Sequence, residues 1–224
     1  MEAMMTFLGT EMFQAFGKPV SLIEVIGFVT GGICVWLVAK QNIFNWPIGI
    51  LNNAAFLILF IGAGLYADAT LQIIFAVIAV YGWYKWTHGT KNSENLKSLP
   101  VTYSSWKERA IVGGLTLVAT IAAVNGLIHL TDSQVALWDT LILTMSLAAT
   151  YYQAKKRIDS WWIWIAVDII SIPLYFSRGL VLTSILYFIF LCICIKGMVD
   201  WKKSYNAGLN DENTGTVESE KATV

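Results

Sequence analysis

The chain has 224 residues, of which 56% are hydrophobic and 13% are charged, and its mean hydropathy is +0.60. A soluble domain carries about 25% charged residues, roughly twice this share. The composition therefore excludes a soluble enzyme, a disulfide-stabilised secreted protein and a disordered chain, and it indicates a polytopic membrane protein. The formal net charge is zero and the sequence has no Lys/Arg-rich patch with interleaved aromatic residues, which argues against nucleic acid as a partner.

Seven apolar segments, each bounded by polar or charged residues, predict an all-α fold of seven transmembrane helices. They cover residues 21–39, 46–63, 69–86, 109–128, 135–154, 161–176 and 180–199. The preceding residues 1–19 lack the pattern of a cleaved signal peptide, and we expect an amphipathic helix at the membrane interface. The polar residues 204–224 predict a disordered tail.

The distribution of basic residues predicts the orientation of the seven spans in the membrane. Of the 15 Lys and Arg residues, only Lys18 and Arg178 fall on the side of the N-terminus. The positive-inside rule therefore predicts an external N-terminus and a cytoplasmic C-terminus.

An internal repeat aligns residues 24–86 with residues 139–201 at an offset of 115 residues, and 15 of the 63 pairs are identical. Rare residues carry the match: Lys40/Lys155, Trp46/Trp161, Gly64/Gly179, Gly82/Gly197 and Trp86/Trp201. A repeat of three spans begins on one side of the membrane and ends on the other. A second repeat in the same orientation therefore needs one further crossing between the two. The sequence thus predicts a 3+1+3 arrangement of repeats at 20–87 and 135–203, joined by a cytoplasmic loop and an inversion helix within 88–134. Parallel repeats of this kind are typical of transporters that bind substrate near the midplane.

Asp168 lies near the centre of the sixth span, where a carboxylate is costly. Its repeat mate Asn53 lies at the same depth in the second span. Helical spacing puts Trp161 and Trp164 on the face of Asp168. In the first repeat this face reads Trp46, Gly49, Asn53. These residues would suit an aromatic ligand, and a cationic one in particular.

Other interpretations stay open for several of these residues. Trp46 and Trp161 could belong to an interfacial belt, to which we assign the remaining tryptophans Trp83, Trp86, Trp106, Trp162 and Trp201. Asn53, and the repeat pair Gln72 and Tyr187, could join helices rather than contact a ligand. Asp168 could bind a coupling proton or sodium ion. The cysteines Cys34, Cys192 and Cys194 read as small buried apolar side chains.

The third span carries a longer motif. Gly64-Leu65-Tyr66-Ala67-Asp68, Leu71-Gln72, Phe75, Tyr81-Gly82-Trp83 and Trp86 closely resemble the signature of the PnuC transporters of nicotinamide riboside. In the second repeat, Trp161-x-x-Trp164-x-x-x-Asp168 resembles the paired-tryptophan element of that family. The resemblance covers residues 20–203, and the architecture is similar to that of the SWEET sugar transporters.

The resemblance implies uptake of nicotinamide riboside, an NAD precursor, across the bacterial inner membrane. Such proteins are thought to act as facilitators with alternating access, while a cytoplasmic kinase traps the riboside. Trp46, Trp161 and Trp164 would then surround the pyridinium ring, and Asp168, Asn53 and Gln72 would bind the amide and hydroxyls, with Tyr187 as a further contact.

Several alternatives remain at this stage. Thiamine or riboflavin are carried by relatives with this fold, and an ion-coupled symporter would use Asp168. A retinal protein would need a lysine deep in the last span, whereas Lys196 lies near its end. We expect no enzyme activity, metal or cofactor, since no nucleophile–base pair or zinc motif is present. The lipid bilayer is the expected surrounding, and the sequence leaves a homo-oligomer open.

Overall fold

The computed structural model describes residues 11–15, 18–62, 66–89, 99–128 and 136–221. Within these residues the chain is almost entirely helical. The helices are α1 (Leu22–Ala39), α2 (Asn45–Gly62), α3 (Tyr66–His88), α4 (Trp106–Ile128), α5 (Ala136–Ala154), α6 (Asp159–Ser177) and α7 (Val181–Lys221). They are preceded by the strands β1 (Glu11–Ala15) and β2 (Lys18–Ser21).

Each predicted span coincides with one of these helices. Over the part of the chain that the structure describes, four helical segments are long and apolar enough to cross a membrane: Asn45–Gly62, Trp106–Gly126, Asp159–Ser177 and Val181–Asn210. Val25–Ala39 of α1 is also apolar but shorter. The prediction of an all-helical membrane protein is therefore confirmed.

The N-terminal segment differs from the prediction. Where we expected an amphipathic helix, Glu11–Ala15 and Lys18–Ser21 pair as antiparallel strands, with Phe13 opposite Val20. Pro19 explains the difference, because proline cannot donate the backbone hydrogen bond of a helix interior but is tolerated in an edge strand. Residues 1–10 lie outside the described residues, and an interfacial position stays a prediction.

The C-terminal prediction of disorder is also wrong for most of its length. Helix α7 continues through the polar segment to Lys221. Extending an existing helix costs far less than starting one. Tertiary contacts hold its first extra turn: Nε2 of Gln41 donates a hydrogen bond to Oγ of Ser204 at 2.9 Å, and the ring of Tyr205 packs edge-on against Tyr103 at 5.1 Å.

The helices pack in a closed order. Contacts link α1 to α2, α2 to α3, α3 to α5, α5 to α6, α6 to α7 and α7 back to α1, while α4 packs against α5. The two long-range junctions in this order, α3 with α5 and α7 with α1, are equivalent, because α7 is the 115-residue mate of α3 and α1 is the mate of α5. The core of the bundle lies at these two junctions.

Four buried tryptophans, Trp46, Trp86, Trp161 and Trp201, form what we call the tryptophan cluster. Trp46 meets Trp86 edge-on with ring centroids 5.5 Å apart, and Trp161 meets Trp201 in the same way at 5.3 Å. Trp86 and Trp201 connect the two pairs at 6.1 Å. Assigning Trp86 and Trp201 to an interfacial belt was therefore wrong, since they are 6% and 0% exposed. The rings bury more area in the core than a belt position would allow.

Reciprocal hydrogen bonds join the two repeats at this cluster. The indole N–H of Trp86 donates to the carbonyl of Gln153 at 3.2 Å, and that of Trp201 donates to the carbonyl of Val38 at 3.1 Å. Val38 and Gln153 are themselves repeat mates. Each carbonyl lies near the C-terminal end of a helix, where backbone acceptors have no partner within the helix.

The turns that follow α1 and α5 have the same backbone conformation. Gln41 and its mate Lys156 both take positive φ values, 54° and 50°. Lys156 is 5% exposed; its Nζ lies 4.6 Å from the ring centroid of Trp86 and 3.4 Å from Oε1 of Gln41. Burial in this turn lowers the pKa of the Lys156 ammonium to about 8.

Two glycines seat the tryptophan cluster, and one of them gives a direct test of it. A Cβ at Gly197 would lie 2.5 Å from Cη2 of the fully buried Trp161. We expect Gly197→Ala to lower the free energy of unfolding by about 1–3 kcal/mol, because neither the helix nor the ring can yield without strain. Thermal unfolding of the purified protein in detergent measures this. The control is Gly208→Ala in the same helix, where nothing lies within 4 Å and stability should not fall. Equal effects of the two substitutions would contradict the packing.

The buried lysine predicts a pH dependence of stability. Its pKa is about 8 in the folded chain and 10.5 when solvated. Between these values the unfolded chain binds more protons, so stability should rise as the pH increases from 8 to 10.5. We expect Lys156→Gln, which copies its mate Gln41, to remove this rise, as measured by melting temperature against pH. The neighbouring Lys155→Gln should leave the rise in place, and its persistence in Lys156→Gln would contradict the assignment.

Candidate functional site

Helix α6 presents a continuous stripe of residues spaced alternately by three and four. The stripe consists of Trp161, Trp164, Asp168, Ser171 and Tyr175. Such spacing keeps side chains on one helical face. Three of the five side chains, those of Trp161, Asp168 and Ser171, are 2% exposed or less. The helix therefore turns an aromatic and polar face into the bundle.

Asp168 is the only one of these side chains with a formal charge. Its carboxylate contacts the thiol of Cys194 on α7, while Oδ2 has no hydrogen-bond partner among the described residues. The hydroxyl of Ser171, one turn further along, is likewise buried without a partner in that part of the chain. Buried polar atoms without partners are costly and are retained at functional sites more often than elsewhere.

Tyr187 on α7 extends this polar group towards the next helix. Its ring stacks on that of Tyr175 at 5.1 Å, the two hydroxyls are in hydrogen-bonding contact, and Tyr187 lies close enough to Asp168 to feel its charge. Phe190, one turn away, packs against Tyr187 at 5.8 Å and reaches Gly31 of α1. The α6–α7 half-site, as we call it, comprises Trp164, Asp168, Ser171, Tyr187 and Cys194.

Three of the predicted aromatic residues divide between this half-site and the tryptophan cluster. Trp164 is half-buried and packs on the cluster one turn from Asp168. Trp161 and Trp46 lie within the cluster, at 0% and 4% exposure, and their indole N–H groups have no partner among the described residues. Trp164 is thus the aromatic side chain of the three that is best placed to contact a ligand beside Asp168.

Two predicted residues of the first repeat lie together elsewhere. Asn53 of α2 and Gln72 of α3 both line a groove of about 370 Å³, otherwise walled by aliphatic side chains. This volume lies at the lower end of the range for small-molecule sites. The neighbouring Asn52 has a different role: it accepts a hydrogen bond from Thr30 of α1 at 3.0 Å and so joins two helices.

The structure thus groups the predicted residues by repeat, and it adds three that we did not single out. Ser171 and Tyr175 continue the spacing that identified Trp164 and Asp168, and extending the stripe by two turns would have found them. Cys194 was assigned as a small apolar side chain. It is buried at 3% exposure, but its contact with Asp168 depends on the packing of α6 on α7, which no local pattern reveals.

Comparisons with known proteins identify the family of this chain. A family model described as nicotinamide mononucleotide transporter matches residues 21–203. The nicotinamide riboside transporter PnuC of Escherichia coli is 27% identical over 212 residues, which cover 85% of this chain and 89% of that one. The riboflavin/roseoflavin transporter RibM of Streptomyces davaonensis is 27% identical over 198 residues, covering 88% and 92%. A crystal structure of the vitamin B3 transporter PnuC superposes with a TM-score of 0.63 at 22% identity, covering 83% of this chain and 82% of that one.

The fold and the apolar helices are those of a multi-pass membrane protein, and the matching family model describes a transporter. Because the family model spans most of the chain, the protein belongs to the nicotinamide mononucleotide transporter family, a family of transporters and not of enzymes. The resemblance to the PnuC transporters is thereby confirmed.

The buried carboxylate predicts a conflict between stability and function. Asp168→Asn keeps the shape of the side chain but removes a charge that has no buried counter-ion among the described residues. We expect it to raise the free energy of unfolding of the empty protein by roughly 1–3 kcal/mol, because burying an unpaired charge costs more than burying a neutral amide. Thermal unfolding without ligand measures this.

The matched control is Asp159→Asn on the same helix. Asp159 accepts hydrogen bonds from Nε of Arg109 and from the backbone N–H of Ser104, both at 2.7 Å. Its substitution should destabilise the protein. A loss of stability in Asp168→Asn of the same size would mean that Asp168 is a structural residue.

Proposed function

We propose that this protein takes up nicotinamide riboside across the bacterial inner membrane by facilitated diffusion. Relatives in Escherichia coli and Neisseria mucosa carry the name nicotinamide riboside transporter PnuC. Phosphorylation by a cytoplasmic kinase would keep the riboside inside the cell, because the added phosphate gives it a charge that no longer suits the site.

We also infer that the seven helices form the 3+1+3 arrangement, with α4 as the inversion helix. The order of helix contacts supports this, since α1–α3 and α5–α7 meet through equivalent junctions and α4 packs outside them. The excess of basic residues supports an external N-terminus and a cytoplasmic C-terminus. On this orientation the tryptophan cluster lies at the cytoplasmic end of the bundle.

The observation that carries the proposed substrate is the buried carboxylate of Asp168 one turn from Trp164. Nicotinamide riboside is an aromatic cation attached to a ribose. A carboxylate and an indole face both favour such a cation, most strongly where water is excluded. Helix α6 contains no Lys or Arg, and neither do residues 179–195, which lead into α7 and form its first part. A phosphate would therefore meet a negative charge without a positive partner, which favours the riboside over the mononucleotide.

We assign roles to the predicted residues on this basis. Trp164 stacks on the pyridinium ring, with Trp161 and Trp46 as the fixed wall behind it. Asp168 faces the positive charge, Tyr187 closes the site from α7, and Asn53 and Gln72 bind amide or hydroxyl groups from the first repeat. Since Asp168 is 2% exposed, the two repeats must move apart for the ligand to enter, as alternating access requires.

Three alternatives differ from this proposal in the substrate or in the energy source. The relative RibM is a riboflavin/roseoflavin transporter, and a neutral flavin would not need Asp168. Thiamine is an aromatic cation and would use the same half-site. An ion-coupled symporter would use Asp168 for a proton or sodium ion, and its uptake would follow an imposed ion gradient, whereas a facilitator only equilibrates its ligand.

Calorimetric titration of the purified protein distinguishes these ligands. We expect binding of nicotinamide riboside, and at least tenfold weaker binding of its 5′-phosphate, thiamine and riboflavin. Asp168→Asn and Trp164→Ala should each weaken riboside binding by about tenfold or more, equivalent to about 1.4 kcal/mol. Trp106→Ala, at a residue that is 80% exposed, serves as the control and should bind as the unaltered protein does.

Each other result excludes part of the proposal. Binding of riboflavin that is insensitive to Asp168→Asn would replace the substrate with a neutral flavin. Riboside binding unchanged in both site variants would remove the α6–α7 half-site as the binding site. Uptake into liposomes that accumulates riboside along a proton or sodium gradient would replace facilitated diffusion with symport.

A further inference from the structure

A second concave surface lies on the outside of the bundle, between α4, α5 and α6. This lateral groove has a volume of about 440 Å³ and is lined by Arg109, Gly113, Thr116 and Thr120 of α4, by Leu141 and Met145 of α5, and by residues of α6 that include Trp162. Its walls are mostly apolar, and a Cβ added at Gly113 would meet nothing within 4 Å. The proposed substrate site on α6 and α7 does not include these residues.

One end of the lateral groove carries positive charge. The side chain of Arg109 is 45% exposed and is bound through Nε to Asp159. Trp162, 54% exposed, lies beside it, and Nζ of Lys202 lies 5.3 Å from the centroid of the Trp162 ring. The nearby Glu108 already pairs with Lys155 and Arg157. These contacts leave more cations than carboxylates around the mouth of the groove.

The length of the lateral groove fits one leaflet of a bilayer. From Arg109 to Thr120, α4 rises about 16 Å at 1.5 Å per residue. Half of a hydrocarbon core measures about 15 Å. An exposed tryptophan at the charged end is typical of the membrane interface, and the apolar remainder points towards the midplane. Basic pockets between transmembrane helices bind anionic headgroups.

We propose that the lateral groove binds one anionic phospholipid, with its phosphate between Arg109 and Lys202 and one acyl chain along α4 as far as Thr120. Charge selects the headgroup, and the apolar floor at Gly113 and Thr116 accepts the chain. Because α4 packs mainly against α5 and meets α6 through the ion pair of Arg109 and Asp159, the lipid would also fill the remaining space between α4 and α6.

Native mass spectrometry of the detergent-purified protein tests this site. Phosphatidylglycerol and phosphatidylcholine with identical acyl chains are added in turn, and the lipid-bound fraction is measured. We expect at least threefold greater occupancy with phosphatidylglycerol. Gly113→Leu should abolish this binding by filling the floor of the groove. Gly114→Leu makes the same change one residue along, outside the groove lining, and should retain it.

The charged end is tested separately with Lys202→Gln, which leaves the ion pair of Arg109 and Asp159 intact. It should reduce the preference for phosphatidylglycerol by at least twofold without abolishing binding. Equal occupancy by the two lipids, or equal retention in Gly113→Leu and Gly114→Leu, would overturn the proposal. A dimer of the unaltered protein that Gly113→Leu, but not Gly114→Leu, converts to a monomer would assign the groove to a second copy of the chain instead. Transport of the riboside does not enter any of these measurements.

Discussion

Two hydrogen bonds from tryptophan side chains to backbone carbonyls hold the halves of this protein together. Trp86 reaches across to α5 and Trp201 reaches across to α1, so each half supplies both a donor and an acceptor. Gly82 and Gly197 make room for the partner rings, because any larger residue would occupy the space of Trp46 or Trp161. Removing either glycine, tryptophan or helix end would disturb the whole junction, which makes it the constraint on which the bundle depends.

The tryptophan cluster and its hydrogen bonds form a frame that occurs in both repeats. The candidate ligand-binding residues, in contrast, differ between the repeats. Asn53 in the first repeat corresponds to Asp168 in the second, and Phe56 corresponds to Ser171. The second repeat therefore carries the charge, while the first carries an amide and an additional aromatic ring. In the proposed site, a ligand with a cationic ring at one end and hydroxyls at the other would then bind in a single orientation.

The sequence predicted the helices, the repeat and the buried carboxylate because these depend on local composition and on spacing within one element. It failed where contacts between distant elements determine the burial or the partner of a residue. Trp86 and Trp201 look like interfacial tryptophans in isolation, and only the packing of α3 on α5 and of α7 on α1 buries them. The contact of Cys194 with Asp168 arises in the same way. The extension of α7 was missed because a polar composition indicates only that a segment is exposed to water. Whether a helix continues depends on the helical turn that precedes the segment, since extending a helix is easier than starting one.

The separation between frame and site has a consequence for how such proteins diversify. The tryptophan cluster begins at Trp161, and the residues that would choose a ligand start one turn later, at Trp164 and Asp168. Replacements in those later turns leave the reciprocal hydrogen bonds untouched. Duplication of a three-helix unit would supply the frame at once, and one copy could then change its ligand contacts while the other kept the assembly folded. A single ancestral scaffold could in this way give rise to carriers for vitamins as different as a pyridinium riboside and a flavin.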